Sequence, residues 1–310
     1  MHCSTKAAPS RRGRAPSKLN SCRIQTRNTR ALRSAMPELP EVELVAQALR
    51  EFIVGRSWTC ATILRPRLLP DSTPERFAER CRGVSVVDVR RRGKYIIIEL
   101  DNGFALLVHL RMSGRLLILP PDRPLPKFTH AIFEMDDGRR FIFSDQRHFG
   151  MMKLVAADQL AQEFQKLAPE PFSEDFSAEY LRTTLARSQR TLKETLLDQS
   201  KVVGLGNIYA AEAMFLARIN PFIKAARVSP RRVSRLHCAI LEVLAESIAY
   251  GSTLNVDPTN IDGSYYGGAY EGRWRVYGRE GERCFVCGAL IKRAAQAGRS
   301  TYFCPRCQKR

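Results

Sequence analysis

From Leu39 the apolar positions fall at Leu39, Val42, Ala46, Leu49 and Ile53, at spacings of three, four, three and four. That period lays one hydrophobic stripe along an amphipathic helix, which Gly55 ends. From residue 57 the pattern shortens to the apolar runs of strands, at 58–64, 84–90, 95–100, 104–110, 115–119, 131–135, 140–143 and 151–155. Asp101-Asn102-Gly103 and Asp136-Asp137-Gly138 separate two pairs of them, and Asn-Gly and Asp-Gly tolerate the positive φ of tight hairpins. An antiparallel β-sandwich is predicted. Beyond residue 158 the helical period returns at 177–187, 189–198, 207–217 and 230–250, after a Pro169-Glu170-Pro171 linker. Gly204-Leu-Gly-Asn207 reads as a turn with Asn207 as helix N-cap; such a start attracts phosphate, although an ordinary glycine turn explains it equally well. Residues 251–283 hold seven glycines and four tyrosines and read as a long mobile loop.

Composition adds a polyanionic partner to this picture. The 310 residues are 44% apolar and 26% charged, an ordinary globular balance. No run of eighteen apolar residues and no secretory h-region is present. Lys and Arg number 50 against 31 Asp and Glu; nine of the 50 lie in residues 1–35, which hold no acid, so residues 36–310 keep about +10. Three explanations of 1–35 stay open: an upstream start wrongly included, an Arg- and Ser-rich transit segment, or a retained disordered DNA-binding arm. A cytoplasmic protein is expected, or an organellar one under the second.

Nine cysteines divide into five scattered ones and Cys284-x2-Cys287-x16-Cys304-x2-Cys307. Two C-x2-C knuckles on a hairpin supply four thiolates in a tetrahedron, the site of one structural Zn²⁺ with no open position for water. Lys292, Arg293, Arg299, Arg306, Lys309 and Arg310 surround it. A hairpin pressing basic residues onto phosphate is the natural role; a ribbon that only supports a partner interface has the same spacing.

The helix opens with Met36-Pro37-Glu38-Leu39-Pro40-Glu41. A proline freed as the first residue is a secondary amine able to attack a sugar carbon and hold it as an iminium; inside a peptide bond its nitrogen is an inert amide. Glu38 and Glu41, three apart, share a side of the first turn, where acids also simply complement the helix dipole. Arg90-Arg91-Arg92-Gly93-Lys94 is a basic turn that also reads as a solvated charge run. Met112 and Phe149 stand beside glycines at strand ends, and alone they read as core residues.

Taken together, these stretches resemble the formamidopyrimidine-DNA glycosylase family, in the bacterial type with a C-terminal zinc finger. The likeness runs in order through residues 36–43, Gly-Lys-Tyr at 93–95, His-Leu-x-Met-Ser-Gly at 109–114, Asp-x-Arg-x-Phe-Gly at 145–150, 204–210, Val-Tyr-Gly-Arg at 276–279 and the four cysteines. It implies an α+β fold: an N-terminal antiparallel β-sandwich with flanking helices over 36–157, a helix-two-turn-helix domain with a lesion-capping loop over 158–275, and a zinc-finger β-hairpin over 276–310. The implied activity is that of a bifunctional glycosylase and abasic-site lyase. It excises 8-oxoguanine and formamidopyrimidines from double-stranded DNA through a proline iminium and β,δ-elimination, with the damaged nucleotide flipped out of the stack.

The resemblance assigns Pro37 as nucleophile, Glu38 as proton donor to the sugar, Glu41 as the group orienting amine and sugar, and Lys94 as the holder of the lesion phosphate. Asn207 and Arg299 would clamp flanking phosphates, while Met112, Arg147 and Phe149 would fill the gap and Arg147 would bond the orphaned cytosine. His148 stands where the family commonly has arginine or lysine, and the 251–275 loop matches poorly in detail. An endonuclease VIII-like enzyme for oxidised pyrimidines is the nearest rival, although its start usually reads Pro-Glu-Gly-Pro. A non-catalytic zinc-containing damage binder is the other, if residues 1–35 stay attached. A monomer is expected.

Overall fold

The computed structural model describes residues 36–265, 267–270 and 272–309; the 1–35 extension and Arg310 lie outside them. Helix α1 (Leu39–Ile53) follows the predicted stripe, and all five of its apolar positions are buried. Val42, Ala46, Leu49 and Ile53 enter the core of the β domain, whereas Leu39 belongs to the core of the helical domain. The helix therefore sits on the seam between the two.

Eight strands follow: β1 (Ser57–Ile63), β2 (Val84–Arg92), β3 (Tyr95–Leu100), β4 (Phe104–His109), β5 (Gly114–Leu119), β6 (Thr129–Met135), β7 (Arg140–Asp145) and β8 (Met151–Ala156). Their order is β5-β7-β6-β1-β2-β3-β4-β8. Only Ser57↔Ser85 and Trp58↔Val84 join β1 to β2, so the sheet folds there into two antiparallel four-stranded layers. Side chains of both layers, among them Trp58, Phe133 and Phe141 with Ile96, Ile98 and Val108, fill one core. The pleat sends Ile97 the other way, onto Leu107, Val155 and Leu160.

Two helices escape the periodicity. Helix α2 (Pro74–Cys81) buries only Phe77 and Cys81, too few to register a stripe, and Thr73 caps it by accepting the Arg76 N–H. Helix α3 (Leu160–Glu163) is a single turn. The helical domain holds α4 (Ala178–Ala186), α5 (Leu192–Leu196), α6 (Asn207–Leu216) and α7 (Pro230–Ala249). Helix α5 is shorter than its predicted span because Thr191 and Glu194 form a capping box at its start and the chain turns at Asp198. The finger hairpin is β9 (Lys292–Gln296) paired with β10 (Arg299–Phe303). It shares a core with the helical domain through Cys284, Ile291, Tyr302 and Cys304.

The basic turn between β2 and β3 is not a free charge run: Arg90 is exposed, but Arg91 and Arg92 are half-buried and paired. Arg91 bonds Glu43 and Glu170, each at 2.7 Å, and Arg92 bonds Glu170 at 2.8 Å and the Ala168 carbonyl at 2.6 Å. Arg90 pairs with Glu99. Gly93 has φ 59°, and a Cβ there would collide with Val203. The turn is thus clamped between α1 and the 168–170 linker, and that clamp presents Lys94 to the inter-domain cleft.

Candidate active site and nucleic-acid interface

A cleft of about 630 Å³ lies where α1, the start of α6 and the finger hairpin meet, lined by Met36, Glu38, Lys94, Met112, Asn207 and Arg299. Motifs far apart along the chain converge on it, whereas the 145–150 turn and the four cysteines lie outside its lining. Pro37 is buried between two lining residues.

Glu38 caps a helix 168 residues away. Its carboxylate accepts the N–H groups of Gly206 at 2.6 Å, Ile208 at 2.8 Å and Tyr209 at 3.3 Å. Gly206, not Asn207, is therefore the N-cap of α6, and Asn207 is the first helical residue. The physical reason is room: a Cβ at position 206 would collide with the Glu38 carboxyl. Asn207 instead donates to the Ser300 carbonyl at 3.0 Å, tying α6 to the finger.

Burial pushes the Glu38 carboxyl up to about 7, with Lys94 and the Ile208 and Tyr209 amides opposing and Glu41 assisting. Lys94 donates to the Leu205 carbonyl at 2.8 Å. Burial lowers its pKa, against the pull of Glu38 and Glu41 and with help from Arg299. Glu41 lies one layer behind. Its oxygens accept from Tyr209 Oη at 2.7 Å, Thr253 Oγ1 at 2.8 Å and the Glu38 N–H at 3.0 Å. It thereby ties the 251–265 loop to the start of α1. The loop is held further by Tyr265 donating to the Gly114 carbonyl and by Ile118 donating to the Pro258 carbonyl.

Met112, Arg147, His148 and Phe149 project from two neighbouring turns. Ser113 Oγ donates to Asp145 at 2.5 Å, Arg147 N–H is 3.0 Å from Ser113 Oγ, and Gly150 N–H reaches Asp145 at 2.7 Å, so the buried Asp145 bolts the turns together. Phe149 is 58% exposed, and the Arg147 guanidinium lies over its ring. A large aromatic left in solvent on a rigid base suits insertion into a stack rather than a core.

The cysteines gather as predicted: Cys284 and Cys307 sulfurs are 3.9 Å apart, Cys287 and Cys304 sulfurs 3.4 Å, and all four lie within 4.8 Å. Tetrahedral Zn–S bonds of about 2.3 Å set sulfurs about 3.8 Å apart, so the set fits one structural zinc. Metal analysis of the purified protein is expected to give about one zinc per chain, and chelation to abolish DNA binding while the sandwich stays folded.

One participant gave no sequence signal. Lys193, 1% exposed on α5, donates to the Ser300 carbonyl at 2.8 Å and to Thr301 Oγ1 at 2.7 Å. Burial and Arg299 lower it to about 8. With Asn207 it fixes the strand that carries the exposed Arg299.

Three family matches follow the same geography: the formamidopyrimidine-DNA glycosylase N-terminal domain at residues 36–152, the formamidopyrimidine-DNA glycosylase H2TH domain at 167–257, and a zinc finger found in FPG and IleRS at 281–310. The chain belongs to the formamidopyrimidine-DNA glycosylase family. Its relatives include the formamidopyrimidine-DNA glycosylases of Herpetosiphon aurantiacus, 41% identical over 88% of this chain and 100% of that protein, and of Desulforamulus reducens, 39% identical over 88% and 99%. Lactococcus lactis Fpg bound to abasic-site DNA superposes with a TM-score of 0.82 at 35% identity, covering 88% of this chain and all of that one. The same protein bound to FAPY-dG DNA gives the same values. No helix among the described residues is long and apolar enough to cross a membrane.

Proposed function

We propose that this glycosylase excises 8-oxoguanine and formamidopyrimidines from duplex DNA and cuts the resulting abasic site by β,δ-elimination through an iminium on a free Pro37 amine. The observation that carries the reading is the cleft itself. A carboxyl held near half-protonation, Glu38, sits beside Pro37 and shares the cleft with a buried lysine, Lys94, and an exposed arginine, Arg299. General acid catalysis at neutral pH needs a carboxyl of that kind.

In this reading Pro37 attacks C1′ of the flipped nucleotide and the base leaves; Glu38 gives its proton to the opening sugar oxygen. Glu41 orients Glu38 and the amine from behind. Lys94 and Arg299 hold phosphates at the lesion, and Asn207 secures the finger while flanking them. Met112 and Phe149 fill the gap in the duplex, Arg147 bonds the orphaned cytosine, and His148 meets the backbone nearby. The divisions 36–157, 158–275 and 276–310 become catalytic, helix-two-turn-helix and zinc-finger units; the family matches at 36–152, 167–257 and 281–310 each fall inside one of them, which supports this reading. The protein acts as a monomer in the cytoplasm, on the nucleoid, or in an organelle if residues 1–35 are a transit segment.

Single-turnover excision from duplexes carrying 8-oxoguanine or thymine glycol tests the reading. The purine is expected to leave at least about tenfold faster, the lower end of the discrimination a shaped pocket provides. Faster release of thymine glycol would assign the chain to the pyrimidine-directed rival.

A further inference from the structure

His148, between Arg147 and Phe149, is bonded ring to ring to His130 on β6. Its Nδ1 lies 2.9 Å from His130 Nε2, and the rings stack at 4.9 Å with 13° between their planes. His130 is buried. The Phe143 ring lies 6.2 Å from it, and Phe128 stands edge-on to His148 at 6.1 Å. His148 has φ 62°, a left-handed backbone that side chains other than glycine rarely adopt. The bond to His130 therefore holds in place a residue whose own backbone does not favour the pose, at the centre of the segment that displays Arg147 and Phe149.

We propose that His130 is a positioning residue for the DNA wedge: it latches His148, and through it Arg147 and Phe149. The inference rests on the reading that Arg147 and Phe149 enter the duplex. The N–H···N bond pairs the donor of one ring with the lone pair of the other and so fixes the edge that His148 turns toward β6, 2.9 Å away. Burial holds His130 below the ordinary histidine value, with His148 and Arg65 assisting and Asp145 opposing, so at neutral pH its ring keeps the neutral form that the bond uses.

Equilibrium binding of the full chain to a duplex with a tetrahydrofuran abasic analogue opposite cytosine, set against the undamaged duplex at the same salt, reads the latch without chemistry. The ratio of the two affinities cancels the general attraction of the protein to DNA. His130→Phe, which keeps a planar ring but no ring nitrogen, is expected to lower this ratio about five- to tenfold, the worth of one ordering hydrogen bond. His130→Gln keeps a side-chain hydrogen-bond partner for the His148 ring, so its ratio should stay near that of the wild type. His148→Lys, on an exposed position, loses the ring-to-ring bond and should lower the ratio by a similar factor. An unchanged ratio in His130→Phe would overturn the latch. If Arg147→Ala leaves the ratio unchanged, the wedge reading fails and the latch with it; if Arg147→Ala lowers the ratio while His130→Phe tracks the wild type, only the latch fails.

Discussion

Glu38→Gln is expected to slow single-turnover base excision by about 10²–10⁴-fold, the usual contribution of a positioned general acid, with affinity for abasic-analogue DNA nearly unchanged. The carboxyl is held up to about 7 by burial, so it is half protonated at neutral pH. Above that point the acid form declines about tenfold per pH unit, and wild-type excision should decline with it, whereas the glutamine variant should show no such limb. Stability follows the same group with a fixed sign. A carboxyl whose pKa is raised on folding favours the native state below its ordinary pKa of 4.5, and that contribution is lost as pH rises to about 7. The variant removes this dependence, but it also offers one oxygen to three amide donors. Thermal unfolding across pH 5 to pH 8, roughly the span of the shift, separates these two effects. A glutamine variant that keeps more than about a tenth of the wild-type rate would remove Glu38 from the proton-donor role.

How much of this site could be read from the chain depended on whether its cause was local. The stripe on α1, the strand alternation, the Asp-Gly turns and the paired cysteines are each set within a few residues, and they appear where the pattern put them. Helix α2 was hidden because two buried positions in eight make no period. The arginine run looked solvated because its partners, Glu43 and Glu170, lie 48 and about 78 residues away and only the fold brings them near. Asn207 was misplaced by one residue for a related reason. Capping preference favours asparagine over glycine, but here the cap is supplied by a carboxylate from the other domain, and that approach needs a glycine. Lys193 was invisible altogether: a lysine in a short polar helix is ordinarily a surface residue, and only the docked finger hairpin gives its ammonium two acceptors. The loop over 251–265 lacks regular structure as expected, yet Thr253 and Tyr265 anchor it at both ends to groups no sequence pattern connects.

A chain beginning at Pro37 is expected to be trapped on abasic-site DNA by borohydride, and one that keeps Met36 or anything before it to give no adduct above background. The difference is chemical rather than structural: with a residue ahead of it the proline nitrogen is an amide, and no arrangement of Glu38 and Glu41 makes an amide attack C1′. Once free, the amine would stand beside the buried Glu38 carboxyl, which favours its cation, and near the buried Lys94 ammonium, which opposes it. Desolvation in the cleft also opposes the cation and so favours the neutral, nucleophilic form. Lys94 is the rival that makes the experiment decisive. It is a second buried amine on the same cleft, its pKa is lowered by burial, and a desolvated lysine can itself form an iminium. Its Nζ, however, is occupied by the Leu205 carbonyl 2.8 Å away. The trapped adduct, digested and weighed, should carry the sugar on the peptide that starts at Pro37. An adduct from the Met36-retaining chain that disappears on Lys94→Met would transfer the nucleophile to the lysine, leaving Pro37 as the residue that merely opens α1.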